Sequence, residues 1–437
     1  MNKTLGNIFK GDKVIWMVFF FLCIVSVIEV YSASAQLTYK AGDYVTPMIK
    51  HIGLLFVGIG FTIVTLNINC RYFKGLITPL LALSFLLLIV VYFIGASTNG
   101  AQRWIPIFGI QFQPSELAKA ALLMTAAMVL AKTQTEKEEW VRGRKRKVVG
   151  AIKGRRYLAF AIVGGATLLV CGLIMMDNMS TGLMLFFVVI VMMFIGHVPR
   201  DLMLKGLLAL LAMGFLVGTI AVVTPEKVLN ETSMTKRLVT VKHRVMRKFN
   251  LGDNDDKKKA SRSETEILLS DENSQTTYAS IAIANSDVIG LGPGNSIQRD
   301  FLQHAESDFI YAIIVEELGI GGALFVALLY LSLLIRVGRI AQRCTSFFPA
   351  YLVLGFGIMM VLQAFINMSV AVGLVPVTGQ TLPLISKGGT SILITSFYNG
   401  VILSVSSYAE KKEVQAPLVE AVADGETSEY YTDGAMS

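Results

Sequence analysis

Apolar runs of about twenty residues recur along this chain, and a run of that length is what an α-helix needs to cross a bilayer. They fall at about 14–33, 51–69, 76–95, 115–131, 157–174, 182–198, 203–223, 309–335, 350–372 and 390–408. With 54% hydrophobic residues, 16% charged residues and a mean hydropathy of +0.60, the chain lies outside the range of soluble globular domains. The fold class that follows is an all-α polytopic integral membrane protein with ten transmembrane helices.

Charge in the connections orients the bundle. Residues 132–156 hold ten Lys and Arg, including RGRKRK at 142–147, which places that loop in the cytoplasm. Arg71, Lys74, Arg200, Lys205, Arg336, Arg339, Arg343, Lys411 and Lys412 fall on the same side, as do both termini. The net charge of +8 is therefore spread over short loops. That is the pattern of an oriented membrane protein, with no role for nucleic acid. Ala33-Ser34-Ala35 resembles a signal cleavage site, but the preceding apolar region is too long for a signal peptide and reads as a retained anchor.

The opposite face carries one large extracytoplasmic loop, 224–308, between helices 7 and 8. Within it, 236–250 reads as a basic amphipathic helix suited to an anionic headgroup surface or simply as a solvated helix. Residues 252–266 read as polar and mobile. GLGPGN at 290–295 reads as a tight turn, since no Lys-Ser/Thr follows to make it a phosphate loop. The domain division is a membrane part, 1–412, and a disordered cytoplasmic tail, 413–437. Cys23, Cys70, Cys171 and Cys344 show no paired spacing, hence no disulfide framework and no thiolate metal site.

The candidate chemistry lies where ionisable residues meet apolar segments, because a charge at membrane depth is costly and marks function by default. FLQHAESDFIYAIIVEELGIGG, 301–322, carries Asp308 at the boundary and Glu316 and Glu317 deeper. An acidic first turn that only complements the helix dipole is the plainer reading of Asp308. In GAQRWIPIFGIQFQPSELAK, 100–119, Ser115 reads as a helix cap. Glu116 and Lys119 share a helix face, as an internal pair or a purely structural one, and Arg103 adds a second cation. Asp177 sits in a short turn between two spans, where a capping role is the plain alternative. VGLVPVTGQTLPLISKGGTS, 372–391, has prolines and glycines at membrane depth, which suits a cavity wall, and it contributes Lys387.

Together these residues outline an outer-face pocket with Asp308, Asp177, Glu116, Lys119, Arg103, Lys387 and the loop cations Arg237 and Arg244. Cations suit a phosphate or diphosphate, and a buried carboxylate suits proton abstraction from a hydroxyl. The pocket fits a lipid-diphosphate enzyme or carrier.

Five stretches occur in the order found in the SEDS proteins (shape, elongation, division and sporulation), and the whole membrane part resembles that family, most closely its division-type members. They are GAQRWIPIFGIQFQPSELAK at 100–119, DNMSTG at 177–182, GLGPGNS at 290–296, SDFIYAIIVEELG at 307–319 and PVTGQTLPLISKGG at 376–389. The chain departs from the family where LQHAESDF stands for the usual LPEAHTDF, and where Lys387 stands for a frequent Tyr.

The resemblance implies a peptidoglycan glycosyltransferase that polymerises lipid II into glycan strands during division and releases undecaprenyl diphosphate. It implies Asp308 as the essential acid and Arg103, Glu116, Lys119 and Asp177 as cavity residues. It further implies a class B penicillin-binding protein, a transpeptidase, and other division proteins as partners, at the septal inner membrane. A divalent cation, magnesium or manganese, is an expected aid to the leaving diphosphate, with no organic cofactor. A lipid II flippase and a non-catalytic division scaffold are the other readings of the same cavity.

Overall fold

In the computed structural model the described residues are 9–34, 46–94, 96–98, 101–107, 110–141, 144–151, 155–208, 271–302 and 305–423. The chain is mostly helical: α1 Lys13–Ala33, α2 Thr46–Leu66, α3 Cys70–Ile94, α4 Pro114–Thr133, α5 Arg155–Asp177, α6 Met179–Ile195, α7 Asp271–Ala284, α8 Ile310–Arg343, α9 Phe347–Ala371 and α10 Gly389–Ala423. Eight of these contain a stretch long and apolar enough to cross a membrane, and α6 is a shorter apolar helix. Of the expected span 203–223, only residues up to 208 are described, and they are helical. What stands is a polytopic helical membrane protein.

Burial separates inner from outer helices. Within their apolar windows α4, α9 and α10 are 72%, 67% and 78% buried, whereas α3 is 22% buried. The sequence accounts for this difference. α4 is rich in Ala and α10 in Ser, and α9 has Gly355 and Gly357 at its contacts; small residues let helix backbones approach closely. α4 and α9 pack directly against each other, α10 runs along α2, and α8 lies between α1 and α9. The four cysteines are free.

Two antiparallel sheets stand where the sequence suggested plain loops. A three-stranded antiparallel sheet covers the α3–α4 connection: β1 Ala96–Thr98, β2 Ala101–Ile107 and β3 Ile110–Phe112. Ile105 pairs with Phe112 and Ile107 with Ile110. In the basic α4–α5 connection, β4 Gln134–Val141 and β5 Arg144–Ala151 pair antiparallel, with Glu138 opposite Lys147 and Glu139 opposite Arg146.

α10 continues to Ala423, into the stretch 413–437 that composition reads as disordered. Lys412, Glu413, Gln415 and Ala416 are good helix formers that continue the helix begun in the bundle, and it runs past Pro417. At the other end, Asp12 caps α1 through Val14 N at 2.8 Å and also accepts from Arg336 Nε of α8 at 2.9 Å.

α8 contains a break at Gly319, whose φ of +69° is open to glycine and costly for other residues. The segment 287–298 closes onto this break. Ile320 N donates to Asp287 O and Gly321 N to Val288 O, while Leu291 N and Gly292 N donate to the carbonyls of Glu316 and Glu317. The backbone groups released by the broken helix are thereby repaired by the glycine-rich strap. GLGPGN is the tight turn its composition suggests, with Gly290, Gly292 and Gly294 all at positive φ.

Candidate functional site

The site assembles around the turn that precedes α8. Residues 306, 307 and 308 each have their carbonyl held from outside: Lys387 N donates to Glu306 O at 2.9 Å, Ser386 Oγ to Ser307 O at 2.6 Å and Asn367 Nδ2 to Asp308 O at 2.9 Å. The half-buried Asp308 side chain is presented from a backbone fixed at three successive residues. It stands just before the N-terminus of α8, the positive end of the helix dipole.

The stretch 372–388 is a non-helical crossing between α9 and α10, as its prolines and glycines suggested. Inside a bundle such backbone must find partners in the protein, and here it does. Asn367 Nδ2 also donates to Gln380 O at 2.7 Å, Gln363 Nε2 donates to Thr381 O at 3.0 Å, and Ser26 Oγ of α1 donates to Ile385 O at 2.8 Å. Gln380 Nε2 donates to the Thr181 hydroxyl, which ties the crossing to the DNMSTG motif.

Gly379 in this crossing has φ +66°. The point where a side chain on it would begin lies 3.7 Å from both Arg103 Nη1 and Asp308 Oδ2. The guanidinium and the carboxylate thus face a common space beside a residue with no side chain. β2 brings Arg103 there, and its side chain also lines a small cavity with Gln113, Ser115 and Asn178.

Glu116 and Lys119 pair as their spacing suggests, 2.7 Å apart, at 7% and 0% side-chain exposure. The Lys119 ammonium also donates to Gln363 Oε1 at 3.1 Å. Ser115 is not the cap: Gln113 holds that position, without a side-chain bond, and Pro114 starts the helix. Proline is preorganised for the first helical position and shifts the boundary toward the N-terminus.

Asp177 is the last residue of α5, and Asn178, not Asp177, caps α6 by accepting from Thr181 N at 3.2 Å. The side chain of Asp177, together with Arg237, Arg244 and the stretches 236–250 and 252–266, lies outside the described residues. Lys387 reaches the site through its backbone, as above. Glu316 and Glu317 belong to the strap and not to this space. Glu317 accepts from Gly294 N at 2.8 Å and Ser296 N at 3.0 Å, and Glu316 accepts from Ile297 N at 3.2 Å.

Among the described residues no three His, Cys, Asp or Glu side chains gather as a metal-binding group. At the Arg103–Asp308 space the nearest residues named here offer one carboxylate and one cation. Among the described residues that donor set does not fit a protein-held divalent ion.

The profile of the cell cycle protein family FtsW/RodA/SpoVE matches residues 12–411. The chain belongs to this family. Among its relatives are the probable peptidoglycan glycosyltransferase FtsW of Hahella chejuensis, 31% identical with 91% of each chain covered, and that of Geobacter sulfurreducens, 29% identical over 93% of this chain and 98% of the relative. Among solved structures, a chain of a peptidoglycan synthase complex that coordinates polymerization and crosslinking superposes with a TM-score of 0.65 at 25% identity, covering 91% of this chain and 98% of that one. RodA of Thermus thermophilus shares the fold with a TM-score of 0.58 at 23% identity, covering 91% and 96%. Residues of the stretches 100–119, 177–182 and 376–389 meet around Asp308.

The residues that bind this arrangement together were not singled out by sequence reasoning. Gln363, Asn367, Gln380 and Ser386 carry no charge and sit in or beside apolar runs. Two amides four residues apart on one helix face are the signal that points to the pair on α9.

Proposed function

We propose that this protein is a peptidoglycan glycosyltransferase that polymerises lipid II during bacterial cell division, with Asp308 as general base. The observation that carries the reading is the Arg103 guanidinium and Asp308 carboxylate facing one space beside Gly379, the carboxylate fixed through its backbone. The relatives named as FtsW glycosyltransferases support the reaction class.

In the proposed step the acceptor sugar's 4-hydroxyl attacks the anomeric carbon of the donor chain. Its proton passes to the Asp308 carboxylate, the bond from the anomeric carbon to the diphosphate oxygen breaks, and undecaprenyl diphosphate leaves. A single displacement inverts the anomeric centre, by the same logic as in inverting hydrolases. Arg103 stabilises the charge that develops on the leaving diphosphate. Asp177 and Lys387 are assigned to the substrate's wider surroundings by the stretches 177–182 and 376–389 in which they lie, and the loop cations Arg237 and Arg244 to the same leaving diphosphate as Arg103.

The same reading includes ten transmembrane helices, with 224–308 as an extracytoplasmic loop and both termini in the cytoplasm. Residues 1–412 form the membrane unit. The protein works in the bacterial cytoplasmic membrane at the septum, with a class B penicillin-binding protein that crosslinks the strands, and the synthase complex among the structural neighbours supports such a pairing.

The deciding experiment incubates detergent-purified protein and transpeptidase partner with lipid II, where no leaflet has to be crossed, and looks for glycan strands. Wild type is expected to polymerise and Asp308→Asn to be inactive with unchanged folding. Activity in Asp308→Asn overturns the base assignment. Absence of product from wild type with its partner returns the chain to the flippase or scaffold readings.

A further inference from the structure

Two amide side chains on one face of α9 hold the crossing in place. Asn367 is 1% exposed, and its single nitrogen donates both to the carbonyl of Asp308, at 2.9 Å, and to that of Gln380, at 2.7 Å. One turn earlier Gln363, 3% exposed, donates to the Thr381 carbonyl at 3.0 Å and accepts from the Lys119 ammonium at 3.1 Å. Only an amide offers a nitrogen with two hydrogens together with an acceptor oxygen on one short side chain. Serine, threonine and the carboxylates cannot bridge two carbonyls in this way.

The placement of these bonds matters more than their number. Gln380 directly follows Gly379, the residue beside which Arg103 and Asp308 face each other. One nitrogen therefore sets the distance between the backbone of the proposed base and the backbone of the wall opposite it. Lys119, for its part, has no solvent exposure, and its ammonium is engaged by Glu116 at 2.7 Å as well as by Gln363. An ammonium so enclosed is poorly placed to meet a diphosphate, whereas its bond to Gln363 bears on the crossing at Thr381.

We propose that Asn367 and Gln363 are positioning residues that hold the crossing 379–381 against Asp308, and that Lys119 acts on the reaction through Gln363 instead of touching the substrate. This rests on the reading of Asp308 as general base. It moves Lys119 from the binding surface to the frame behind it.

The test uses full-length protein with its transpeptidase partner, the monodisperse folded fraction in detergent, and lipid II at varied concentration. Asn367→Leu keeps the side-chain shape and removes both donors. It is expected to lower kcat by roughly tenfold to a hundredfold, since small misplacement of a reacting group carries losses of that order, with KM for lipid II within about twofold of wild type. Asn367→Ser, which keeps one donor, is expected to recover part of the loss. A kcat for Asn367→Leu within about twofold of wild type, or equal activity of the Leu and Ser variants, overturns the role of Asn367.

If Asn367→Leu does not yield folded protein, Asn367→Ser and Asn367→Ala decide by the same ranking. Serine above alanine in kcat supports the proposal and equality overturns it. For Lys119, the variants Lys119→Met and Gln363→Met are measured singly and together. If Lys119 works through Gln363, the double variant loses no more than the worse single variant. Losses in kcat that multiply place Lys119 in independent contact with the reaction and overturn that half. Asp308→Asn, run beside these, separates the two questions: its activity alone decides the base assignment.

Discussion

The ammonium of Lys119 and the carboxylate of Glu116 lie 2.7 Å apart one helical turn from each other, on a face of α4 that solvent does not reach. Removing one partner leaves a charge without its counterion in a bundle interior, a change of about 3–5 kcal/mol. Lys119→Met is therefore expected to lower the midpoint of thermal unfolding in detergent markedly. The double variant Glu116→Gln/Lys119→Met, which leaves no charge unpaired, should recover most of the loss. A double variant less stable than Lys119→Met shows the pair to be independent of each other.

Glu317 gathers the strap. Glu317→Ala leaves the amides of Gly294 and Ser296 and the Ser32 hydroxyl without their acceptor, at about 1–3 kcal/mol for the buried Ser296 amide and less for the half-buried Gly294 amide. The strap is then expected to loosen from the break in α8. Limited proteolysis followed by mass spectrometry should detect faster cleavage within 287–299, and Glu317→Gln, which keeps an acceptor oxygen, should fall between the two. Unchanged cleavage in Glu317→Ala means that the backbone bonds alone fasten the strap.

Two glycines at similar positive φ should respond differently to alanine. At Gly379 the added carbon meets Arg103 Nη1 and Asp308 Oδ2 at 3.7 Å, an ordinary contact, so the main cost is conformational, about 1–2 kcal/mol. Gly379→Ala is expected to fold and to lose polymerase activity through the methyl group placed between the two side chains. At Gly319 the same carbon would lie 2.4 Å from Val288 O and 2.5 Å from Gly290 N, both backbone atoms that cannot swing aside. Gly319→Ala should give little folded protein by size-exclusion chromatography.

Asp12 joins the start of α1 to α8, far from the site. Asp12→Ala removes a helix cap, worth about 1 kcal/mol, and hydrogen bonds from the Arg336 guanidinium, worth about 1.5–3 kcal/mol each. A lower unfolding temperature with an unchanged kcat is the expected result. A fall in kcat in the folded fraction shows that this end of the bundle reaches the site.

What the chain alone determined is what local chemistry writes into it. Apolar runs of bilayer length dictate helices whatever surrounds them, because backbone polar groups in lipid have no other partners. Asp308 was legible because a carboxylate at the edge of such a run is costly, and Glu116 and Lys119 were legible as a pair because they are one turn apart. The sheets formed by β1 to β3 and by β4 and β5 were less so, since their signals are cross-strand pairs hidden among charges and glycines. Tertiary structure decided the rest. Asn367 and Gln363 look in sequence like polar residues tolerated in an apolar helix, and their meaning comes from carbonyls 59 and 18 positions away. Lys119 is a cation of either surface or interior until α9 closes over it, 244 positions later in the chain. A charge states its cost locally, but which group offsets that cost depends on which helices pack together, and that is settled only by the folded bundle.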